Sequence, residues 1–142
     1  MKRLPVIGML CVTMAFGLTA CSDDSDSASE EATEAAADLC SSLTELKADN
    51  AKLKALNPAS ATKDQIKDAY EAVQKDWDSV KSNRGKMKDA QREAVQGAAE
   101  DLKKAYQDLP GDTTGKDART TLQPQIQKLE ETTAAASADL KC

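Results

Sequence analysis

The chain contains no histidine. That excludes a Ser-His-Asp triad, a Cys-His pair and any imidazole-based metal site. Aromatic residues are almost missing: Phe16, Tyr70, Trp77 and Tyr106 are the complete set. With six glycines and four prolines in 142 residues, the chain lacks the turn signals a β-sandwich places every ~8–12 residues, and it lacks the β-branched and aromatic strands between them. What is present is Ala, Lys, Asp, Glu and Gln with Leu at regular intervals. That composition belongs to helices. The expected fold is all-α, in one domain.

Chemistry is thin as well. Gly111-Asp112-Thr113-Thr114-Gly115-Lys116-Asp117 imitates a phosphate loop but has one residue too few between its glycines. Asp117 stands where that loop needs Ser or Thr, and a helix precedes it instead of a strand. The carboxylate pairs Glu130-Glu131 and Asp76/Asp78 are expected on polar faces, without the apolar surround that raises a catalytic pKa. A net charge of −5 disfavours nucleic acid as a partner. No enzyme activity, cofactor or metal is expected.

The amino terminus carries a different kind of information. Met1-Lys2-Arg3 is a short basic segment, and Leu4 to Leu18 is an apolar run too short to span a bilayer comfortably. The run ends in Leu18-Thr19-Ala20-Cys21. This resembles the bacterial lipobox: a large apolar residue, two small ones, then cysteine. The resemblance implies that residues 1–20 are a signal peptide and that Cys21 takes a diacylglycerol and becomes the first residue of the mature protein. The expected location is the cell membrane, lipid-anchored and facing the extracytoplasmic side. Two acyl chains hold stably where one holds only marginally.

Residues 21–34 are expected to be a disordered tether. Ser22 to Asp38 carries seven acids and no base, and residues 39–142 balance at 17 of each. Acids near an anionic bilayer are repelled and extend the chain. The Asp23–Asp26 cluster lacks the spacing and glycine of a calcium loop.

Residues 35–142 are expected to form an up-down-up-down antiparallel four-helix bundle. The first helix, about Ala35 to Leu56, carries Leu39, Leu43, Leu46, Leu53 and Leu56, with Asn50 near the missing core step. Asn57-Pro58 breaks it, and Thr62-Lys63-Asp64-Gln65 forms a capping box for the second. There Ile66, Tyr70, Val73, Trp77 and Val80 give the clearest heptad stripe, which makes Trp77 a core residue. Gly85 is expected to end that helix in the left-handed conformation. The third helix presents Met87, Ala94, Ala98, Leu102, Tyr106 and Leu109, and Pro110-Gly111 stops it. The fourth presents Ala118, Leu122, Ile126, Leu129, Thr133, Ala136 and Leu140, with Pro124 kinking or briefly breaking it. Short connections force antiparallel neighbours.

Cys11 leaves with the signal, so Cys40 and Cys142 remain as a pair in an exported chain, where thiols end as disulfides. With four antiparallel helices the start of the first and the end of the last lie together, so the bridge is natural. The turn between the second and third helices lies at that end and carries Lys81, Arg84, Lys86 and Lys88 without an intervening acid. It is a candidate membrane-proximal basic patch, weighed against ordinary solvated cations at a helix C-terminus.

Taken together, the lipobox, the acidic Ser/Asp tether, the Asp38-Leu39-Cys40 start, the Leu109-Pro110-Gly111-Asp112 break and the terminal cysteine resemble the small cysteine-bracketed helical lipoproteins of actinobacteria. That group implies no established activity. The expected function is therefore a monomeric, non-catalytic binding module of the cell envelope, with an envelope protein or cell-wall polymer as partner. The alternatives are a self-associating coiled-coil spacer and a carrier of a small apolar ligand walled by Trp77 and Tyr70.

Overall fold

The computed structural model describes residues 26–142, with side chains from Thr33 onward. The expected signal peptide, the lipobox-like Leu18–Cys21 and the first part of the expected tether lie outside the described residues. Four α-helices make a helical bundle: α1 (Asp26–Ala55), α2 (Lys63–Asn83), α3 (Asp89–Gln107) and α4 (Gly115–Asp139). A single 3-10 turn, Arg84–Lys86, joins α2 to α3, and no strand occurs among the described residues.

The core is built from one stripe per helix. Leu39, Leu43, Leu46 and Leu53 of α1 and Val73 and Val80 of α2 are fully buried, as are Val95 and Leu102 of α3 and Ile126 and Leu129 of α4. Burying such a side chain stabilises by about 1.5–3 kcal/mol each. Helix α1 packs along α2 and α4, and α3 packs along α4, while α2 and α3 meet only sparingly. One meeting point is the stack of Tyr70 on Tyr106, with ring centroids 3.9 Å apart.

The local signals work as their chemistry requires. Thr62 accepts from the Gln65 amide while the Gln65 side chain accepts from the Thr62 amide, so the capping box on α2 is complete. Thr114 caps α4 by accepting from the Asp117 amide at 3.2 Å. Pro124 neither breaks nor ends α4, which is continuous from Gly115 to Asp139. Proline removes the amide that would bond the carbonyl four residues back. Here both Pro124 and Thr120 are exposed, so water can satisfy that carbonyl.

Four expectations are corrected. Helix α1 begins at Asp26, nine residues before the expected start near Ala35, so part of the stretch expected to be disordered is helical. Gly85 is not left-handed: no glycine among the described residues has positive φ, and α2 passes instead into the 3-10 turn. On α3 the buried residue is Val95, and Ala94 is exposed, because Met87 precedes the helix and its phase does not carry into it. Asp76 is not on a polar face but buried, 9% exposed.

Candidate functional site

Among the described residues the candidate surfaces lie at the two ends of the bundle, over Trp77 and along the α1–α2 seam. At the cysteine end, α4 closes with a Schellman motif. The Cys142 amide donates to the Ser137 carbonyl at 2.9 Å and the Lys141 amide to that of Ala138 at 3.2 Å. Lys141 occupies the left-handed conformation, φ 59°, and turns Cys142 back toward α1. Cys40 and Cys142 are bonded, with Cα atoms 5.4 Å apart across a sequence separation of 102.

The four basic residues of the α2–α3 connection gather at this same end. Asn83 contacts Ser42 of α1 at 3.4 Å, and Lys88 pairs with Asp139 of α4 at 2.5 Å. Lys81 pairs with Asp78 at 2.7 Å, and half-buried Arg84 donates to Gln96 at 3.2 Å. Lys86 is exposed and forms no ion pair with any described residue. Hydrogen bonds from Lys88 and then Gln91 hold the Asp139 carboxyl below its usual range. Two of the four cations are thus already neutralised locally.

The opposite end joins the α1–α2 and α3–α4 loops. Lys63 donates to the Gly111 carbonyl, and a Cβ on Gly115 would run into the carbonyl oxygen of Ala61. Gly115 therefore allows the start of α4 to approach the α1–α2 loop. An open cleft of about 490 Å³ between Ala105, Leu109, Pro110, Asp112, Asp117 and their neighbours lies beside a smaller one of about 220 Å³. The smaller is walled by Ile66, Tyr106, Leu109 and Ala118, and both share Leu109 and Thr113. The loops themselves hold no aromatic, but Tyr106 from α3 supplies one.

A third depression, about 180 Å³, lies between α2 and α3 over Trp77 and Ala99, rimmed by Asp78, Lys81, Glu100 and Lys103. Trp77 is 5% exposed and Tyr70 7%. Burial pushes the Tyr70 hydroxyl up to about 12, with Tyr106 and Glu71 adding to it. Both side chains mentioned in the carrier reading are packed as core.

The seam between α1 and α2 holds what the sequence hid. Asp76 of α2 faces Asp49 and Glu45 of α1. Burial first, then these two carboxylates, push its carboxyl up to about 6, against the pull of Lys75. Its Oδ2 has no hydrogen-bond partner. The signal was available in principle, since Asp76 falls between Val73 and Val80 beside Trp77, on the edge of the stripe.

Among the described residues no group of acids or cysteines could hold a metal ion, and no helix is long and apolar enough to cross a membrane. The chain matches no protein-family model, no curated protein and no solved structure.

Proposed function

We propose that the chain is a lipid-anchored helical module of a bacterial cell envelope, held to the outer side of the membrane by a diacylglycerol on Cys21 and acting as a non-catalytic binding module. Its helices run up-down-up-down. The contacts favour this: Cys40 with Cys142, Asn50 with Ile126 and Lys54 with Arg119 pair α1 with α4 in opposite directions. Gln91 with Asp139 and Lys128 with Asp101 do the same for α3 and α4.

The observation that carries the reading is the bonded Cys40–Cys142 pair. Such a bond persists outside the reducing cytoplasm. It agrees independently with the basic segment, apolar run and Leu18-Thr19-Ala20-Cys21 that would send the chain there. The bridge also gathers both chain ends of the bundle on the anchored side. The Leu109–Gly115 loop and its two clefts then face away from the bilayer, toward an envelope protein or cell-wall polymer. The sequence also resembles the cysteine-bracketed helical lipoproteins of actinobacteria in its motifs.

The test is expression of the full chain in a bacterium that processes lipoproteins, with and without a globomycin-type inhibitor and with Cys21→Ser. Accumulation of precursor under the inhibitor and loss of the variant from the detergent phase support the anchor. An unchanged mature product in both cases overturns it. Crosslinking of the lipidated protein in intact cells then identifies what the clefts meet.

A further inference from the structure

We infer that the buried Asp76 carboxyl holds a proton in the α1–α2 seam, and that this proton is a switch which tightens the bundle in mildly acidic surroundings and loosens it in neutral ones.

The geometry comes first. Asp76 is buried on the inner edge of α2, between the core residues Val73, Trp77 and Val80. One carboxyl oxygen, Oδ2, is shut off from solvent with no donor near it. A buried carboxylate ordinarily ends against an arginine, a lysine or several amides, because an uncompensated buried charge is costly. Asp76 meets carboxyls instead. Asp49 of α1 and Glu45, one turn earlier, set two negative charges against it across the seam. A buried carboxyl facing like charges is favoured in its neutral, protonated form.

The positive groups nearby do not replace that proton. Lys52 of α1 points to Asp49, 2.5 Å away, and acts on Asp76 only through space. Lys75 is the preceding residue on α2, is exposed, and lowers the carboxyl only partly against burial and the two carboxylates that raise it. The charged groups that face Asp76 across the seam are thus Glu45, Asp49 and Lys52, and Lys75 is the one on its own helix.

The direction follows. The Asp76 carboxyl titrates near 6 in the folded chain, against about 4 when unfolded. A group raised in this way contributes stability that is complete below about pH 4. The contribution disappears as pH rises through about 6, since ionisation in the seam is then forced. Most carboxylates act the other way, and Asp139 is an example: its lowered value adds stability that is lost as acid is added. These two carboxyls therefore favour the fold together in mildly acidic surroundings, where Asp76 is protonated and Asp139 is not.

The experiment is denaturant unfolding of the full chain, disulfide intact, at pH 4.5, 5.5, 6.5 and 7.5, for the wild type and Asp76→Asn. The amide is neutral at every pH and nearly the same shape as the carboxyl. The folding constant of the wild type is expected to fall by roughly 20- to 30-fold between the two extremes. The variant is expected to be flat over that range and at least as stable as the wild type at pH 7.5. A wild type that is flat or gains stability toward pH 7.5 overturns the inference, as does a variant that keeps the wild-type slope. Should Asp76→Asn fail to fold, carboxyl-carbon NMR of the wild type decides. A midpoint near 6 for Asp76 supports the switch, and one at or below 4 sinks it.

Discussion

The Cys142 amide donates to the carbonyl oxygen of Ser137 at 2.9 Å, and this one bond fixes the direction in which the last residue leaves α4. It requires the intervening Lys141 to be left-handed, a conformation that costs a non-glycine residue roughly 1 kcal/mol. Replacing Lys141 by Gly removes that strain and leaves every backbone bond of the motif in place. The variant is expected to be more stable by up to about 1 kcal/mol, with the disulfide formed as fully as before. Thermal unfolding and a free-thiol assay check both halves.

Two glycines should respond in opposite ways to the same substitution. Gly97 lies inside α3 with nothing within 4 Å of a new Cβ, so Gly97→Ala is expected to stabilise by about 0.5–1 kcal/mol through helix propensity alone. Gly115 has the Ala61 backbone where its Cβ would be. Backbone cannot swing aside as a side chain does, and Gly115→Ala is expected to cost about 2 kcal/mol or more. Equal effects in the two variants would contradict the close approach of the loops.

These cases mark what could be read from the residues and what could not. The stripe Ile66, Tyr70, Val73, Trp77 and Val80 and the Thr62–Gln65 box depend on neighbours three or four positions away, and both stand as the spacing predicts. The cysteine pair was legible because a helix count alone places residues 40 and 142 together. Gly115 was not, since its constraint is set by Ala61, which lies far off in sequence. The left-handed position was expected at Gly85 and occurs at Lys141, where lysine gives no signal for it. Asp76 was misplaced because a strict heptad reading admits Val73, Trp77 and Val80 and leaves out the position between. The real stripe is wide enough to enclose it.

Asn50 shows how a polar residue sits inside a leucine stripe. It is 1% exposed, and its amide donates to the Ile126 carbonyl of α4 at 3.0 Å, while its Oδ1 has no partner. Asn50→Ala loses the bond and leaves a void, and is expected to cost about 1–3 kcal/mol. Asn50→Leu continues the stripe and removes the unsatisfied oxygen. It is expected to match or exceed the wild type, with any loss appearing as a less cooperative transition, since a buried polar contact fixes register more than it adds energy. Should the leucine variant unfold more readily than the alanine one, the bond itself would be the stabilising element.

Tyr70 sets the alkaline limit. Its hydroxyl is raised to about 12 mainly by burial, and burial raises that of Tyr106 too. An acid whose folded value lies above its unfolded one near 10 favours the fold below pH 10 and ceases to do so as pH rises through 12. Tyrosinate absorbance should therefore stay low at pH 10.5 and rise together with loss of helical ellipticity. Tyr70→Phe should move the unfolding midpoint upward in pH. Tyrosinate that forms near pH 10 in folded protein would mean the ring is not held against Tyr106.

The Cys40–Cys142 bond is the largest single constraint on the unfolded chain. It closes a loop spanning 102 positions, which in the chain-entropy model is worth about 4–5 kcal/mol. The α3 part of the core cannot make up such a loss, because Ala98 and Ala99 stand where larger side chains would bury more surface. A domain near this size holds only about 5–15 kcal/mol in all. Reduction, or Cys40→Ser with Cys142→Ser, is therefore expected to lower the unfolding midpoint by roughly 15 °C or more while leaving helical ellipticity at low temperature largely intact. The ellipticity is the discriminating measurement, since the helices owe their registry to α1–α4 contacts such as Asn50–Ile126 and Lys54–Glu130. Helicity lost together with the bond, even in the cold, would show instead that the bridge is needed to form the bundle at all.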